Sequence, residues 1–73
     1  MAKLHFATFE RILKESKKGI RVSDDATKEF IEVMERITKS IASEALELAL
    51  HANRRTIMRN DIRLAARKWI EKV

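Results

Sequence analysis

Residues 23–52 read SDDATKEFIEVMERITKSIASEALELALHA, and this stretch decides the fold. Its apolar side chains recur at the helical period with no proline or glycine to interrupt them: Ala26, Phe30, Val33, Met34, Ile37, Ile41, Ala45, Leu48 and Ala49. Ser23 is a preferred N-cap residue, and Asp24 and Asp25 fall in the first turn, where the helix dipole favours carboxylates. Asn53 tolerates the left-handed conformation that closes helices. The sequence therefore predicts one long helix between Ser23 and Asn53.

A shorter helix is predicted on each side of the long one. The first runs from about Phe6 to Lys17, and Gly19 beyond it can take the left-handed conformation. The third follows a connection over 54–58 and runs from about Arg59 or Asn60 to Glu71. Each has an apolar face that we expect to be buried: Phe6, Phe9, Ile12 and Leu13 in the first, and Ile62, Ala65, Ala66 and Trp69 in the third. The predicted fold class is all-α, with a short, a long and a short helix.

Chain length bounds how this fold is stabilised. The 73 residues make at most one domain, over 1–73, with a modest core. Cysteine is absent, and His5 and His51 lie too far apart in sequence to suggest a zinc site. About 30 residues of helix span roughly 45 Å, whereas a compact chain of this length has a radius of gyration of about 11 Å. We therefore expect a second copy to cross the long helix in an intertwined dimer.

Basic charge is concentrated toward both ends of the chain. The 16 Lys and Arg outnumber the 11 Asp and Glu, and the formal net charge is +5. This charge divides into +4 over 1–22, −4 over 23–52 and +5 over 53–73. The excess favours a polyanionic partner. No apolar run approaches the length of a membrane span and no signal-peptide core follows the start, so we expect a soluble intracellular protein with no membrane partner.

Several strings occur in an order and at a spacing that resemble archaeal histones. They are RILK at 11–14, RVSDDA at 21–26, IASEA at 41–45 and LAxHAxRxTIxxxDIxLA at 48–65, where x marks a position outside the match. The similarity covers most of the chain, from Leu4 to Lys68. It implies the histone fold, in which two chains cross in a handshake, and dimers that join through a four-helix bundle into a tetramer or larger assembly.

The resemblance also implies a function. Such a protein binds and wraps duplex DNA without sequence preference and compacts it into nucleosome-like chromatin, on the chromosome in the cytoplasmic nucleoid. The partners would be double-stranded DNA, a second copy of the chain in a homodimer, and in some assemblies a paralogous histone in a heterodimer. In the handshake dimer the first loop of one chain lies beside the second loop of the other, which would bring the two basic segments onto one surface.

The resemblance assigns roles to three loop residues. Arg21 matches a first-loop arginine that enters the minor groove, a contact that depends on groove width and not on base identity. Arg55 and Thr56 fall in the second loop, where they would contact phosphates through a charge and a hydroxyl. The alternative for Arg21 is a solvated loop arginine, and for Thr56 it is packing within the loop.

The other predicted DNA-binding residues extend these contacts. Arg11 and Lys14 lie one turn apart on the first helix, although a solvated helix face explains them nearly as well, and Lys17 and Lys18 continue the same patch. Arg59 replaces a residue in a stretch that is usually more acidic. The full predicted set is Arg11, Lys14, Lys17, Lys18, Arg21, Arg54, Arg55, Thr56 and Arg59.

Two further relationships follow from the resemblance. Arg54 and Asp61 match a structural pair that ties the second loop to the third helix. Leu48, His51 and Asp61 match residues that meet between dimers, where a histidine can donate a hydrogen bond to a carboxylate. The alternative for His51 is a helix-end histidine favoured by the helix dipole.

Other classes of function have less support. A histone-fold subunit that pairs with a different chain in a transcription or chromosome-segregation complex is the main alternative. An RNA-binding helical module lacks the exposed aromatic platforms that single-stranded RNA requires. We expect no cofactor, no metal and no catalysis, because the sequence has no glycine-rich phosphate loop, nucleophile–base pair or ligand cluster.

Overall fold

The computed structural model describes residues 5–15 and 17–70. It contains α1 (Phe6–Lys14), α2 (Asp24–His51) and α3 (Arg59–Ile70), and no strand occurs in the part of the chain that it describes. The predicted all-α order of a short, a long and a short helix is therefore confirmed. Among the described residues, no helix combines the length and apolar character that a membrane span requires.

The start of α2 follows the predicted cap. The Ala26 N–H donates to Ser23 Oγ at 3.0 Å, and the Thr27 N–H donates to the Ser23 carbonyl oxygen at 3.2 Å. Asp24 and Asp25 occupy the first turn, where carboxylates interact favourably with the positive end of the helix dipole. The 28 residues of α2 correspond to a helix about 42 Å long.

The end of α2 is a Schellman motif centred on Asn53. Asn53 has a φ of 60°, which confirms the predicted left-handed conformation. The Asn53 N–H donates to the Leu50 carbonyl oxygen at 2.9 Å, and the Arg54 N–H donates to the Ala49 carbonyl oxygen at 3.0 Å. These two bonds satisfy carbonyl groups that the last turn of a helix leaves unpaired. The chain therefore leaves α2 in a fixed direction.

The first helix is shorter than the sequence predicts, ending at Lys14 and not near Lys17. The Glu15 N–H is shared between the carbonyl oxygens of Arg11, at 3.0 Å, and Ile12, at 3.2 Å, which tightens the last turn. Residues 14–18 contain no apolar side chain. Further helix there would bury nothing and would bring lysines together at helical spacing, which is unfavourable.

Gly19 is left-handed, as predicted, but in a turn beyond the helix. Its φ is +84°, and the Ile20 N–H donates to the Lys17 carbonyl oxygen at 3.1 Å. Gly19 thus holds the third position of a four-residue turn, where a positive φ favours glycine. The turn separates α1 from the segment that leads to the Ser23 cap.

The chain divides into two compact units, Met1–Arg36 and Ile37–Val73. In the first unit, the rings of Phe9 and Phe30 meet edge to face, with centroids 5.2 Å apart and planes at 83°. This is a favourable geometry for aromatic pairs. Thr27 in the same unit is completely buried, and its hydroxyl donates to the Ser23 carbonyl oxygen at 3.4 Å.

The second unit contains the end of α2, the second loop and α3. Within residues 37–70, the buried apolar residues are all alanines: Ala45, Ala49, Ala65 and Ala66. At its edge, Lys68 Nζ lies 3.6 Å from Glu44 Oε1 and joins α3 to α2. Small residues allow close helix packing, but they contribute little buried apolar area.

Several residues predicted to be core are exposed in the single chain. Phe6 is 36% exposed, Ile12 42%, Ile62 44% and Trp69 46%, so the prediction that these four are buried is wrong for the isolated chain. Phe9, Leu13, Phe30, Met34, Ile37 and Ile41 are half-buried. These residues belong to apolar helix faces, and a single chain does not supply enough surface to cover those faces.

Candidate nucleic-acid interface

The second loop, residues 52–58, is held by an ion pair between its own arginine and α3. Arg54 Nη1 donates to Asp61 Oδ2 at 2.9 Å, and Arg54 Nη2 donates to Asp61 Oδ1 at 3.0 Å. Arg54 Nη1 also donates to the Thr56 carbonyl oxygen at 2.8 Å. Two parallel bonds of this kind restrict both groups in distance and in orientation. The loop is therefore closed onto the first turn of α3.

Asp61 has a second partner in the backbone. The Met58 N–H, at the N-cap of α3, donates to Asp61 Oδ2 at 2.7 Å. The Arg54 guanidinium and this N–H both favour the carboxylate form, and they lower the pKa of Asp61 from 3.8 to about 2 although burial opposes the shift. The carboxylate raises the pKa of Arg54 in return. Asp61 is only 3% exposed, so the loop is organised around a nearly buried anion.

The side chains that this pair positions are exposed. Arg55, Thr56 and Arg59 are all accessible, and no ion pair involves Arg55 or Arg59 within the described residues. Arg54 itself uses three N–H donors inside the loop. Its structural role is thus visible in the chain, whereas its contact with phosphate stays a prediction.

The first loop, which connects α1 to α2, holds Arg21 between two hydrogen-bonded backbone features. The Gly19 turn precedes it and the Ser23 cap follows it, and both are closed by backbone or side-chain hydrogen bonds. Arg21 is exposed, and so are Lys17 and Lys18 in the turn. Because both ends of this short loop are anchored, its backbone has little conformational freedom to lose when Arg21 binds a ligand.

The two predicted cations on α1 have intrahelical partners. Arg11 Nη1 lies 3.0 Å from Glu15 Oε2, and Lys14 Nζ lies 3.7 Å from Glu10 Oε2. Both are pairs between residues four apart on the helix surface, which are weak in water. A phosphate at this face would compete with Glu10 and Glu15, so α1 is a less favourable anion surface than either loop.

The predicted residues between dimers lie on the second unit. His51 is exposed at the end of α2, Leu48 is half-buried, and Asp61 is nearly buried in its own ion pair. Glu47, Leu50 and His51 line an open surface depression. The carboxylate of Asp61 accepts three hydrogen bonds within the chain, and a carboxylate has about four acceptor positions. One acceptor position of this carboxylate is left within the chain.

The sequence interpretation missed the backbone donor of Met58. Asp61 is the third residue of α3, and a carboxylate at that position can reach back to the N–H of the N-cap residue. The spacing between Met58 and Asp61 is the signal that identifies it. Among residues 5–15 and 17–70, no group of three or more His, Cys, Asp or Glu side chains is placed to hold a metal ion.

Comparison with known proteins places this arrangement in a family. Residues 1–68 match the family model described as the core histone H2A/H2B/H3/H4 domain. The chain is 36% identical over 67 residues to a protein named as one of the subunits of archaeal histone HAN1, from Thermococcus zilligii. It is 42% identical over 67 residues to a protein named probable archaeal histone 3, from Methanocaldococcus jannaschii. Each alignment covers 92% of this chain and 98% of the relative. Because the family match and both relatives span nearly the whole chain, the chain belongs to the histone-fold family.

Proposed function

We propose that this chain packages duplex DNA: a single histone-fold domain that pairs with a second copy in a handshake dimer, binds DNA without sequence preference and wraps it into nucleosome-like chromatin on the chromosome. The role is structural and includes no catalysis. The observation that carries it is the second loop, in which the Arg54–Asp61 pair holds exposed Arg55, Thr56 and Arg59 in place. Fixed cations that face solvent are suited to contacts with the phosphate backbone.

The exposed apolar residues support the dimer. The large apolar side chains that remain 36% or more accessible include Ile12, Val33, Leu46, Leu50, Ile57, Met58, Ile62, Leu64, Trp69 and Ile70. Full burial of such a side chain contributes about 1.5–3 kcal/mol, so the exposed parts of these side chains represent stabilisation that a partner surface could supply. A second copy crossing α2 would cover apolar faces on all three helices. Further dimers would join through Leu48, His51 and Asp61 into a tetramer or larger assembly.

Loop contacts with phosphate set the expected DNA behaviour. Cations that neutralise phosphates release condensed counterions, so affinity falls steeply as salt rises. The minor-groove contact proposed for Arg21 depends on groove width, and wrapping depends on DNA bendability. Lys17, Lys18 and Arg54 would add charge beside these contacts, and Arg11 and Lys14 would contribute only where phosphate displaces their glutamate partners.

Nuclease digestion of plasmid DNA reconstituted with the purified protein at physiological salt tests the proposal. The expected result is a regular ladder of protected fragments, because dimers added along DNA protect it in equal steps. Smooth degradation, at a protein concentration that retards the plasmid in a gel, would contradict wrapping. A charge-reversed protein with Arg21→Glu and Arg55→Glu is the control, and it is expected to protect no discrete fragment.

A second candidate function is membership of a mixed histone-fold dimer in a transcription or chromosome-segregation complex. The name of the Thermococcus zilligii relative describes that protein as a subunit. Light scattering on the isolated chain discriminates between the two functions. The homodimer predicts one species of twice the chain mass that binds DNA, whereas a chain that requires a paralogous histone aggregates alone and becomes dimeric only when that histone is added.

A further inference from the structure

The outer face of α3 has a row of arginines beyond the second loop. Arg59, Arg63 and Arg67 are spaced four residues apart. At 3.6 residues per turn they fall within an arc of about 80°. The buried Asp61 and Ala65 of the same helix lie on roughly the opposite side, and the third buried residue, Ala66, lies at the edge of the row beside Arg59. All three arginines are exposed, and they span about 12 Å along the helix axis.

The acidic groups nearby do not neutralise the first two arginines of this row. Asp61 is the one acidic residue of α3, and both of its oxygens are occupied by Arg54 and the Met58 N–H. Glu44 of α2 pairs with Lys68, which lies on a different side of α3 from Arg63. No ion pair or hydrogen bond involves the side chain of Arg63 within the described residues.

Such a row is unfavourable for the helix by itself. Like charges at positions four apart repel each other, so Arg59 and Arg63 destabilise α3 when nothing neutralises them. Arg59 is also the first residue of α3, where the positive end of the helix dipole repels its guanidinium group. A polyanion that follows the helix would remove both effects. Arg59 directly follows the second loop, and Arg63 lies one helical turn beyond Arg59. A DNA duplex bound at the second loop would therefore need to extend by only one turn of α3 to contact Arg63.

We infer that the outer face of α3, formed by Arg59, Arg63 and Arg67, is a phosphate-binding surface for duplex DNA that continues the second-loop contact along the helix. This inference rests on the proposed function and adds Arg63 and Arg67 to its DNA-binding residues. Its consequence is a longer DNA contact per chain and a steeper dependence of affinity on salt than the loops alone would give.

The test measures the salt dependence of binding to one duplex of fixed length by fluorescence anisotropy, for the wild type and Arg63→Gln. The slope of log K against log salt is expected to fall by about 0.9 for each α3 that contacts DNA. The wild type would then lose about 3.5-fold more affinity than the variant, for each such contact, over a fourfold rise in salt. Arg63→Lys retains the charge and is expected to restore the slope.

Lys39→Gln is the matched control, because Lys39 is exposed on α2 and its substitution removes the same charge. Its slope is expected to equal that of the wild type. Thermal unfolding without DNA separates binding from folding: Arg63→Gln relieves repulsion within α3, so its melting temperature is expected to be unchanged or higher while its DNA binding weakens.

The other outcomes overturn the inference in distinguishable ways. Equal slopes for all variants mean that Arg63 does not contact DNA, and equal losses in Arg63→Gln and Lys39→Gln mean that only net charge matters. If Arg63→Gln changes the mass of the DNA-free protein in light scattering but leaves the slope alone, an acidic surface of another copy covers α3. A wild type without measurable affinity for duplex DNA overturns the proposed function itself.

Discussion

Arg54 and Asp61 form a two-point ion pair, with N–O distances of 2.9 and 3.0 Å, between the residue that follows the α2 cap and the third residue of α3. The pair determines where the second loop lies, because Arg54 also holds the Thr56 carbonyl and Asp61 also holds the Met58 N–H. The geometry of the exposed loop cations therefore depends on a nearly buried anion.

Asp61→Asn is expected to lower the melting temperature near neutral pH, because it removes the charge that Arg54 and the Met58 N–H stabilise. Glu15→Gln, which breaks the exposed pair with Arg11, is the control and is expected to change the melting temperature little. Equal effects of the two substitutions, measured by circular dichroism, would contradict the role of the buried carboxylate.

The same pair predicts an acid limit to stability. The pKa of Asp61 is about 2 in the folded chain against an ordinary value of 3.8. Its contribution is therefore fully present above the ordinary value and is lost as pH falls from about 4 through 2. Acid unfolding of Asp61→Asn should lack this component, so its stability should fall less steeply than that of the wild type over this range.

The stability of the chain is expected to depend on a residue at position 53 that tolerates the left-handed conformation. Asn53→Ala should lower the free energy of unfolding by about 1 kcal/mol, because a φ of 60° is unfavourable for a residue with an ordinary Cβ. Asn53→Gly should be at least as stable as the wild type. Urea unfolding measures both, and Asn60→Ala in α3 serves as the control. An Ala variant as stable as the Gly variant would argue against the Schellman motif.

The Ser23 cap offers a separate measure of α2. Ser23→Ala removes the acceptor of the Ala26 N–H and should cost about 1 kcal/mol of stability in urea unfolding. Ser43→Ala, at an exposed position inside the same helix, should cost nothing or add slightly, because alanine is the better helix former. A cost that is the same at both positions would refute the cap.

Arg21→Ala and Arg55→Ala are expected to weaken DNA binding by similar factors on all sequences of matched bendability. Both contacts are proposed to involve backbone and groove width, which carry little base identity. Competition titrations with duplexes of different sequence measure the factors. A loss confined to one sequence would show that the residue reads bases, and Lys39→Gln again controls for the change in net charge.

Local hydrogen bonding made much of the fold predictable from the sequence. The Ser23 cap, the left-handed Asn53 and the helical period between them place α2 within a residue of its observed bounds. Each of these features depends on groups within about one helical turn, so the chain carries the information locally.

Burial decided what the sequence pattern left undetermined. The end of α1 came three residues earlier than its pattern suggested, because a helix continues only where its next turn has apolar surface to bury. Thr27, an ordinary helical position by sequence, is completely buried, whereas Ile62 and Trp69 are exposed.

The candidate site divides in the same way. The sequence by itself determined which cations occupy the loops, and the resemblance to archaeal histones implied that Arg54 and Asp61 form a pair. Only the tertiary structure decided that Asp61 is nearly buried and that the Met58 N–H is its second donor. The reason is that charge and spacing are properties of the chain, whereas burial depends on the surfaces that packing brings together.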